Sequence, residues 1–590
     1  MLKLNPSRKL RALKHRRNAL APILSLPIEV TEGIFSFLHV PGELSPLPRG
    51  ERSDPLVWLH VAHVCHQWRE IALNQPLFWS RLNFTDFSLA GASEILTRAK
   101  NTPLYLYLEE IIPRGHWRNG RFPAFKEELQ RHVSHIRHLG ISVMQPNLYE
   151  SLEGLVSPAP ILERLSLFCD KYWPRTLSLP DTLFNGTTPK LSRLELRNCD
   201  ISWKSPLLRG LTYLEICSPS RNAMPELAEW LNVLEEMSQL KTLILRSASP
   251  IAPLGTSLSF DIERTITLPS LSHFDLSASL RNCALALAHL DLPALAHLSV
   301  TTRARRRGGD DTEVHGILPY VALHAQGPQD IQPLQSMLIN TNDSRIDVFA
   351  WTRPDINFDV RDSSAFLDLM HSSRVTLSVT RAWSINTHHH TRVLEAAMAA
   401  LPLDNLVTLA APHCTLLDEQ FWRRHAPQWR MLQCVWLSFD VAHWFRRTLL
   451  DANGEHECSL LPSLVKLVLV DSDLTGPWIF DLCDILILKR VEQGVPLEVV
   501  DMRTCTVHDH AAIQHLRKLG VDVWGPTEES IGTREPFFIT CYEEARGLLV
   551  PRPKDIDPDS DFDEDNFNAS DDEEGSDLED NDDFNDDLYA

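Results

Sequence analysis

The sequence predicts an α/β chain in three parts: a short helical module, a long irregular array of stacked strands, and a disordered acidic tail. Three observations carry that prediction. Apolar residues at helical spacing crowd residues 26–82, an L-x-x-L-x-L motif recurs between residues 136 and 502, and residues 555–590 hold 18 acidic residues with no Lys or Arg. The implied divisions are a basic leader over 1–24, the module over 25–83 with a loop inserted at 40–57, the array over 100–525, a cap over 526–550 and the tail over 551–590.

The leader carries Lys3, Arg8, Lys9, Arg11, Lys14, Arg16 and Arg17 before any acid appears. It reads as a helix entering the module with its charged face in water. A nuclear-import patch or a mitochondrial presequence would have similar composition. In the module, Pro27 suits a helix start because its missing N–H would have had no partner there. Glu29 then sits near the positive end of the helix dipole. Further on, Val61, Val64, Trp68 and Ile71 fall at i, i+3, i+7 and i+10, one stripe of a single helix.

The ordered set begins with Leu26, Pro27, Glu29 and Val30, continues with Ile34 and Phe35, then Val64, Cys65, Trp68, Arg69, Ile71 and Ala72, and closes on Pro76 and Trp79. It resembles an F-box, and more narrowly the F-box-like domains of expanded fungal families. The resemblance implies a three-helix module that docks on a Skp-type adaptor bound to a cullin scaffold in a ubiquitin ligase. It assigns adaptor contact to Leu26, Pro27, Glu29, Ile34, Phe35, Val64 and Trp68, with packing against the first repeat as another role for Trp68. The chain departs from the short form of the domain at 40–57, where Pro41, Gly42, Pro46, Pro48 and Gly50 fall in an inserted loop.

Beyond the module, Leu104, Leu106 and Leu108 alternate with Tyr105 and Tyr107 as in a strand. The L-x-x-L-x-L motif opens at Ile136, Leu162, Leu191, Leu211, Leu240, Leu271 and Leu295, and again at Leu406, Leu432, Leu464 and Leu497. From Leu162 to Leu295 the openings are 29, 20, 29, 31 and 24 residues apart, which brackets the leucine-rich repeat length of roughly 20–29 residues. A strand of this kind cannot bury its apolar face alone, so neighbours stack in parallel into a solenoid. Cys199, Cys414 and Cys505 stand three residues after the last motif position, the offset at which such repeats turn a side chain toward the backbone. Positions between the leucines, such as Glu195, Glu215, Lys241 and Thr242, are expected on the concave side.

Between 300 and 406 the motif degrades, as at Leu318, Val321 and Leu323, yet Val375, Leu377 and Val379 alternate like a strand and imply that the array continues. Arg303, Arg305, Arg306 and Arg307 read as an exposed loop, or as a nuclear-import signal. The last strand is expected at 521–524. In the tail, Ser560, Ser570 and Ser576 each precede an acid by three residues and fit acid-directed kinases.

The formal charge of −21 belongs almost entirely to the tail, so the nearly neutral body predicts no nucleic-acid partner. The 11 cysteines include no C-x-x-C pair and follow no signal peptide, which implies reduced thiols in a cytoplasmic or nuclear protein. No apolar run nears a membrane span. Catalytic signatures are missing: there is no G-x-S-x-G, P-loop or G-x-G-x-x-G, and His456-Glu457 lacks the second histidine of a zincin. His388, His389 and His390 read as a polar loop rather than a metal site, and no cofactor or metal is expected. The sequence therefore reads as a non-catalytic substrate receptor, monomeric outside its complex, with a target that the sequence does not name. The alternative is a repeat scaffold that no longer engages the adaptor.

Overall fold

The recurring leucines are buried in register, and that register builds a sheet. Leu106, Leu139, Leu165, Leu194, Leu214, Leu243, Phe274 and Leu298 are aligned partners across successive parallel strands. Each is buried. The computed structural model describes residues 17, 20–37, 59–109, 121–143, 145–152, 154–169, 177–252, 262–304, 315–328, 331–342, 345–358, 363–381, 387–412, 414–448, 461–470, 490, 494–505 and 510–525.

The N-terminal helices are α1 (Ile28–Ser36), α2 (Leu59–Ala62) and α3 (His66–Asn74). The described residues then form a 17-stranded sheet. In chain order its first strands are β1 (Arg81–Asn83), β2 (Leu104–Glu109), β3 (Ile136–Val143), β4 (Arg164–Cys169), β5 (Arg193–Arg197), β6 (Tyr213–Cys217), β7 (Thr242–Arg246), β8 (His273–Ser279) and β9 (His297–Ala304). They are followed by β10 (Ser336–Asn342), β11 (Arg345–Trp351), β12 (Val375–Arg381), β13 (Thr408–Ala411), β14 (Cys434–Leu437), β15 (Lys466–Leu469), β16 (Val499–Asp501) and β17 (Asp522–Trp524). The chain is thus mixed α/β, with a short helical module leading into a large, mostly parallel, repeat-like sheet.

Strands β1 to β9 pair in chain order, as do β13 to β17. Between them the order is β9-β12-β11-β10-β13. Only residues 343 and 344 separate β10 from β11. That is too short for a parallel crossover, so β11 runs back antiparallel and β12 fills the place beside β9. The array does continue through this region as the alternating residues predicted, but with its order permuted.

Helices α4 (Leu89–Ala99), α5 (Arg121–His132), α6 (Gln145–Leu152), α7 (Leu227–Glu236), α8 (Leu280–Ala288) and α9 (Leu318–Gln326) connect the earlier strands. They bury apolar residues in the same core as the inward leucines. Helix α10 (Ser363–His371) is different. Its Phe366 and Met370 belong to a second core with Leu338, Phe349, Trp351, Ala410, Trp436 and Val468. Those strand residues alternate with Met337, Val348, Ala350, Leu409, Val435 and Leu467 of the first core, so they point to the opposite face of the sheet. Helices α11 (Thr387–Ala400), α12 (Glu419–His425), α13 (Phe439–Thr448) and α14 (His510–Lys518) return to the first core.

Several sequence expectations change here. Leu318, Val321 and Leu323 are not a degraded strand: they lie on α9, whose first turn carries Pro319 and which buries Leu318, Val321 and Ala325 at i, i+3 and i+7. Arg303 is in β9 rather than a loop. His388, His389 and His390 lie in the first turn of α11, not a loop, and His390 is buried. The single helix expected from Val61 to Ile71 is two, because Cys65 adopts an extended backbone and caps α3 by accepting the Trp68 N–H at 3.5 Å. Most of the leader, the loop at 40–57, Arg305 to Arg307, His456, the cap at 526–550 and the tail with Ser560, Ser570 and Ser576 lie outside the described residues.

The strand ends repeat a device. Asn198, Ser218 and Ser247, each directly after a strand, take φ of 52°, 51° and 54°. This left-handed turn lets each N–H reach a carbonyl of the neighbouring strand: Asn198 to Cys217, Ser218 to Arg246 and Ser247 to Ser277. At the offset flagged in sequence, the Cys199 thiol donates to the Arg197 and Leu167 carbonyls at 3.3 and 3.7 Å, and the Cys505 thiol to Leu469 at 3.2 Å. Cys414 is fully buried as well.

Candidate protein-binding surfaces

The N-terminal module is built around Phe35. Its ring meets Trp68 edge-on at 5.0 Å and lies 6.5 Å from Phe78, which ties α1 to α3 and to the turn Pro76–Trp79. Pro27 is the N-cap of α1, one place earlier than the first-turn position read from sequence. Its carbonyl accepts from the Thr31 N–H and hydroxyl. Arg69 reaches back from α3 to the Ala62 carbonyl at 2.8 Å, which closes the α2–α3 corner.

The inward side of α1 is supplied by Thr31 and Phe35, both buried. Its outward side is apolar too. Val30, Ile34 and Phe37 stand at i, i+4 and i+7, one helical stripe, and expose 46%, 43% and 84% of their surface. Ile28 and Val64 are also exposed, the latter by 61%. A soluble helix ordinarily turns polar side chains outward. An apolar stripe on the outward side as well makes this helix a candidate docking surface.

Of the residues assigned to adaptor contact, Pro27, Glu29, Ile34 and Val64 are exposed and Leu26 and Trp68 are half-buried. Phe35 is not on this surface: at 1% exposure it is a core residue. Trp68 is half-buried, and its ring packs against Phe35 within the module. Val30 and Phe37 were missed as candidates, although their spacing from Ile34 was readable.

Residues 23–85 match the F-box-like family model. They form an F-box-like domain. The matched segment includes β1, which pairs in parallel with β2 through Tyr105 N–H to Ser80 and Phe84 N–H to Tyr107, both 2.8 Å. The domain therefore supplies the edge strand of the sheet as well as its helices. No curated protein matches the chain.

The second surface is the sheet face away from most helices. Along it, Arg164 of β4, Arg193, Glu195 and Arg197 of β5 and Glu215 of β6 meet across the strands. Glu195 accepts from Arg164 at 2.8 and 3.1 Å, from Arg193 at 2.5 Å and from Ser166 at 2.7 Å. Burial works against its charge, yet the two arginines and the hydroxyl hold its carboxyl below the ordinary carboxylate range. Arg246 bonds Asp275 at 2.8 Å two strands further on. At β8 and β9, His273 stacks on His297 at 4.6 Å, and burial together with that neighbour pushes the His273 imidazole down to about 4.

At β10, β11 and β13 to β15 the same face is covered by the chain itself. Ile356, Phe358, Phe366 and Met370 cover it, and the Thr408 hydroxyl holds the Pro354 carbonyl at 2.8 Å. Glu195, Glu215 and Thr242 do lie on the face predicted for residues between the leucines. Nothing in the sequence pattern announced that a connection would cover its other half. Among the described residues, no group of His, Cys, Asp or Glu is arranged to hold a metal ion, and no helix is long and apolar enough to cross a membrane.

Proposed function

We propose that this chain is the substrate-recognition subunit of a Skp/cullin/F-box ubiquitin ligase. The observation that carries the reading is the apolar stripe of Val30, Ile34 and Phe37, exposed on a helix whose other side is already in the core. In this reading the stripe, flanked by Leu26, Pro27, Glu29 and Val64, docks a Skp-type adaptor carried by a cullin. Phe35 and Trp68 act from beneath by fixing the angle of α1. The sheet is read as an irregular leucine-rich-repeat solenoid, supported by the recurring motif, the parallel register and the buried turn cysteines. It holds a target protein on its open face.

The chain itself performs no bond chemistry in this proposal. Its contribution is proximity, because tethering a target near the ligase raises the effective concentration of its lysines. In this proposal the protein works in the cytoplasm or nucleus and is a monomer outside the complex. Ser560, Ser570 and Ser576 are proposed phosphorylation sites that would add charge to the tail.

The test is calorimetric titration of a purified Skp-type adaptor into the full chain. Ile34→Asp should abolish binding and shift Tm by less than about 2 °C, since exposed substitutions cost at most about 0.5 kcal/mol. Phe35→Ala should weaken binding together with a stability loss of about 3–5 kcal/mol. If folded wild type fails to bind, the ligase reading is wrong and the chain is a repeat scaffold.

A further inference from the structure

We propose that the open half of the sheet face, centred on β4 to β7, binds an acidic extended segment of a protein partner. This rests on reading that face as the target-holding side, and it names the chemistry of the target. The first reason is the layering of charge. The carboxylates are recessed: the Glu195, Glu215 and Asp275 side chains expose 3%, 14% and 12% of their surface. The arginines lie above them, with Arg193 at 30% and Arg197 at 42%. A partner therefore meets guanidinium groups before it meets acid.

The second reason is how those guanidinium groups are held. Arg193 lies over the Tyr213 ring at 3.7 Å and Arg197 over Phe168 at 5.0 Å. Rings that fix the plane of an arginine reduce the entropy lost on binding and leave its N–H edges outward. Arg197 is the least committed. Its nearest carboxylate is Glu215 at 3.7 Å, beyond hydrogen-bond range, and among the described residues its guanidinium makes no hydrogen bond. Its five donors suit a carboxylate bidentately.

Geometry sets the form of the ligand. Arg197 and Arg246 occupy the same row, with Cys217 of β6 between them. Two strand spacings put them about 10 Å apart, the span of roughly three residues of extended chain. The segment that fits runs across the strands as an extended left-handed helix of three residues per turn, which sets acidic side chains at i and i+3 on one side about 9 Å apart. It ends near β8, where His371 of α10 comes within 6.0 Å of His273 and the covered half begins. Single-stranded nucleic acid is the poorer fit, because Phe168 and Tyr213 have a face taken by arginine where a base would stack.

The experiment is fluorescence anisotropy with the full chain and a labelled decapeptide of glycine with glutamate at every third position. A glutamine version and a ten-nucleotide thymidine strand serve as comparisons. Wild type should bind the glutamate peptide with an affinity that falls as salt rises, and should not bind the glutamine peptide. Arg197→Glu should weaken binding tenfold or more. Arg209→Glu, which makes the same charge change beside Glu236 of α7, should leave it within twofold.

Failure of wild type to bind at low salt, or equal loss in both variants, overturns the proposal. Tighter, Arg197-dependent binding of the thymidine strand overturns it in favour of nucleic acid. Adaptor binding by Arg197→Glu should equal wild type, so loss of the adaptor reading and loss of this one register in separate measurements.

Discussion

Phe358 meets the Trp436 ring edge-on, with centroids 5.7 Å apart and planes at 80°. Trp351 also meets Phe358 edge-on at 5.6 Å, and its indole N–H donates to the Leu369 carbonyl at 3.1 Å. Strands β11 and β14 and the connection between β11 and β12 are thereby locked into a second core on the face that is open elsewhere. That lock divides the sheet into a covered half and an accessible half.

The lock has a measurable strength. Phe358 is 1% exposed, so Phe358→Ala should leave a cavity and cost about 3–5 kcal/mol. Urea denaturation followed by tryptophan fluorescence reads this directly, since Trp351 and Trp436 line the site. A loss below about 1 kcal/mol would mean that the connection contributes little to closing this face.

Acid should destabilise the protein in two windows. His138, His273 and His324 are held at about 4 in the fold, chiefly by burial. The unfolded chain titrates them near 6.5. It therefore takes up protons first, and stability falls as pH drops from about 6.5 toward 4. Glu195 acts lower: its folded value is depressed, so its contribution is complete above the unfolded value of about 4.3 and is lost as pH falls through the folded value. Melting temperatures from pH 8 to 2 should show both declines. His324→Gln should flatten the upper one. Glu195→Gln should reduce the lower one, which Asp275 shares, and cost about 3–5 kcal/mol at pH 7, because Arg164 is left buried without its counter-charge. A flat profile between pH 6.5 and 4.5 would contradict the histidine assignment.

The left-handed turns offer a stabilising change. Ser247 holds φ of 54°, a conformation that costs an L-residue about 1–2 kcal/mol, while glycine adopts it freely but loses more entropy on folding. Ser247→Gly should therefore gain about 0.5 kcal/mol, read as a rise of about 1 °C in Tm for a chain of this size. Ser247→Val should lose more than it gains. A fall in Tm for the glycine variant would show that the serine side chain contributes what the backbone pays.

Much of the architecture was legible because it is local. Leucines at fixed offsets announce strands whose faces alternate, and Leu194, Leu214 and Leu243 align as that pattern requires. The turn cysteines were legible for the same reason, being a few residues from the strand they serve. Cys65 was not: its residue type gave no sign that the backbone would extend there and break one helix into two. Leu318, Val321 and Leu323 misled because their spacing satisfies a strand motif and a helix stripe alike, and only packing against the neighbouring helices settles such a short run.

The candidate surfaces divide in the same way. By itself the sequence determined the F-box-like segment, the apolar spacing of α1, the recurring strands and the residues between the leucines that face outward. These follow from periods of about 3.6 and 2 residues, which neighbours in sequence impose. Tertiary structure alone decided that Phe35 is inward while Ile34 is outward, that β12 lies between β9 and β11, and that Ile356, Phe358 and Phe366 close half the sheet. Each of those depends on which distant surface competes for the same apolar side chain. No local period encodes that competition.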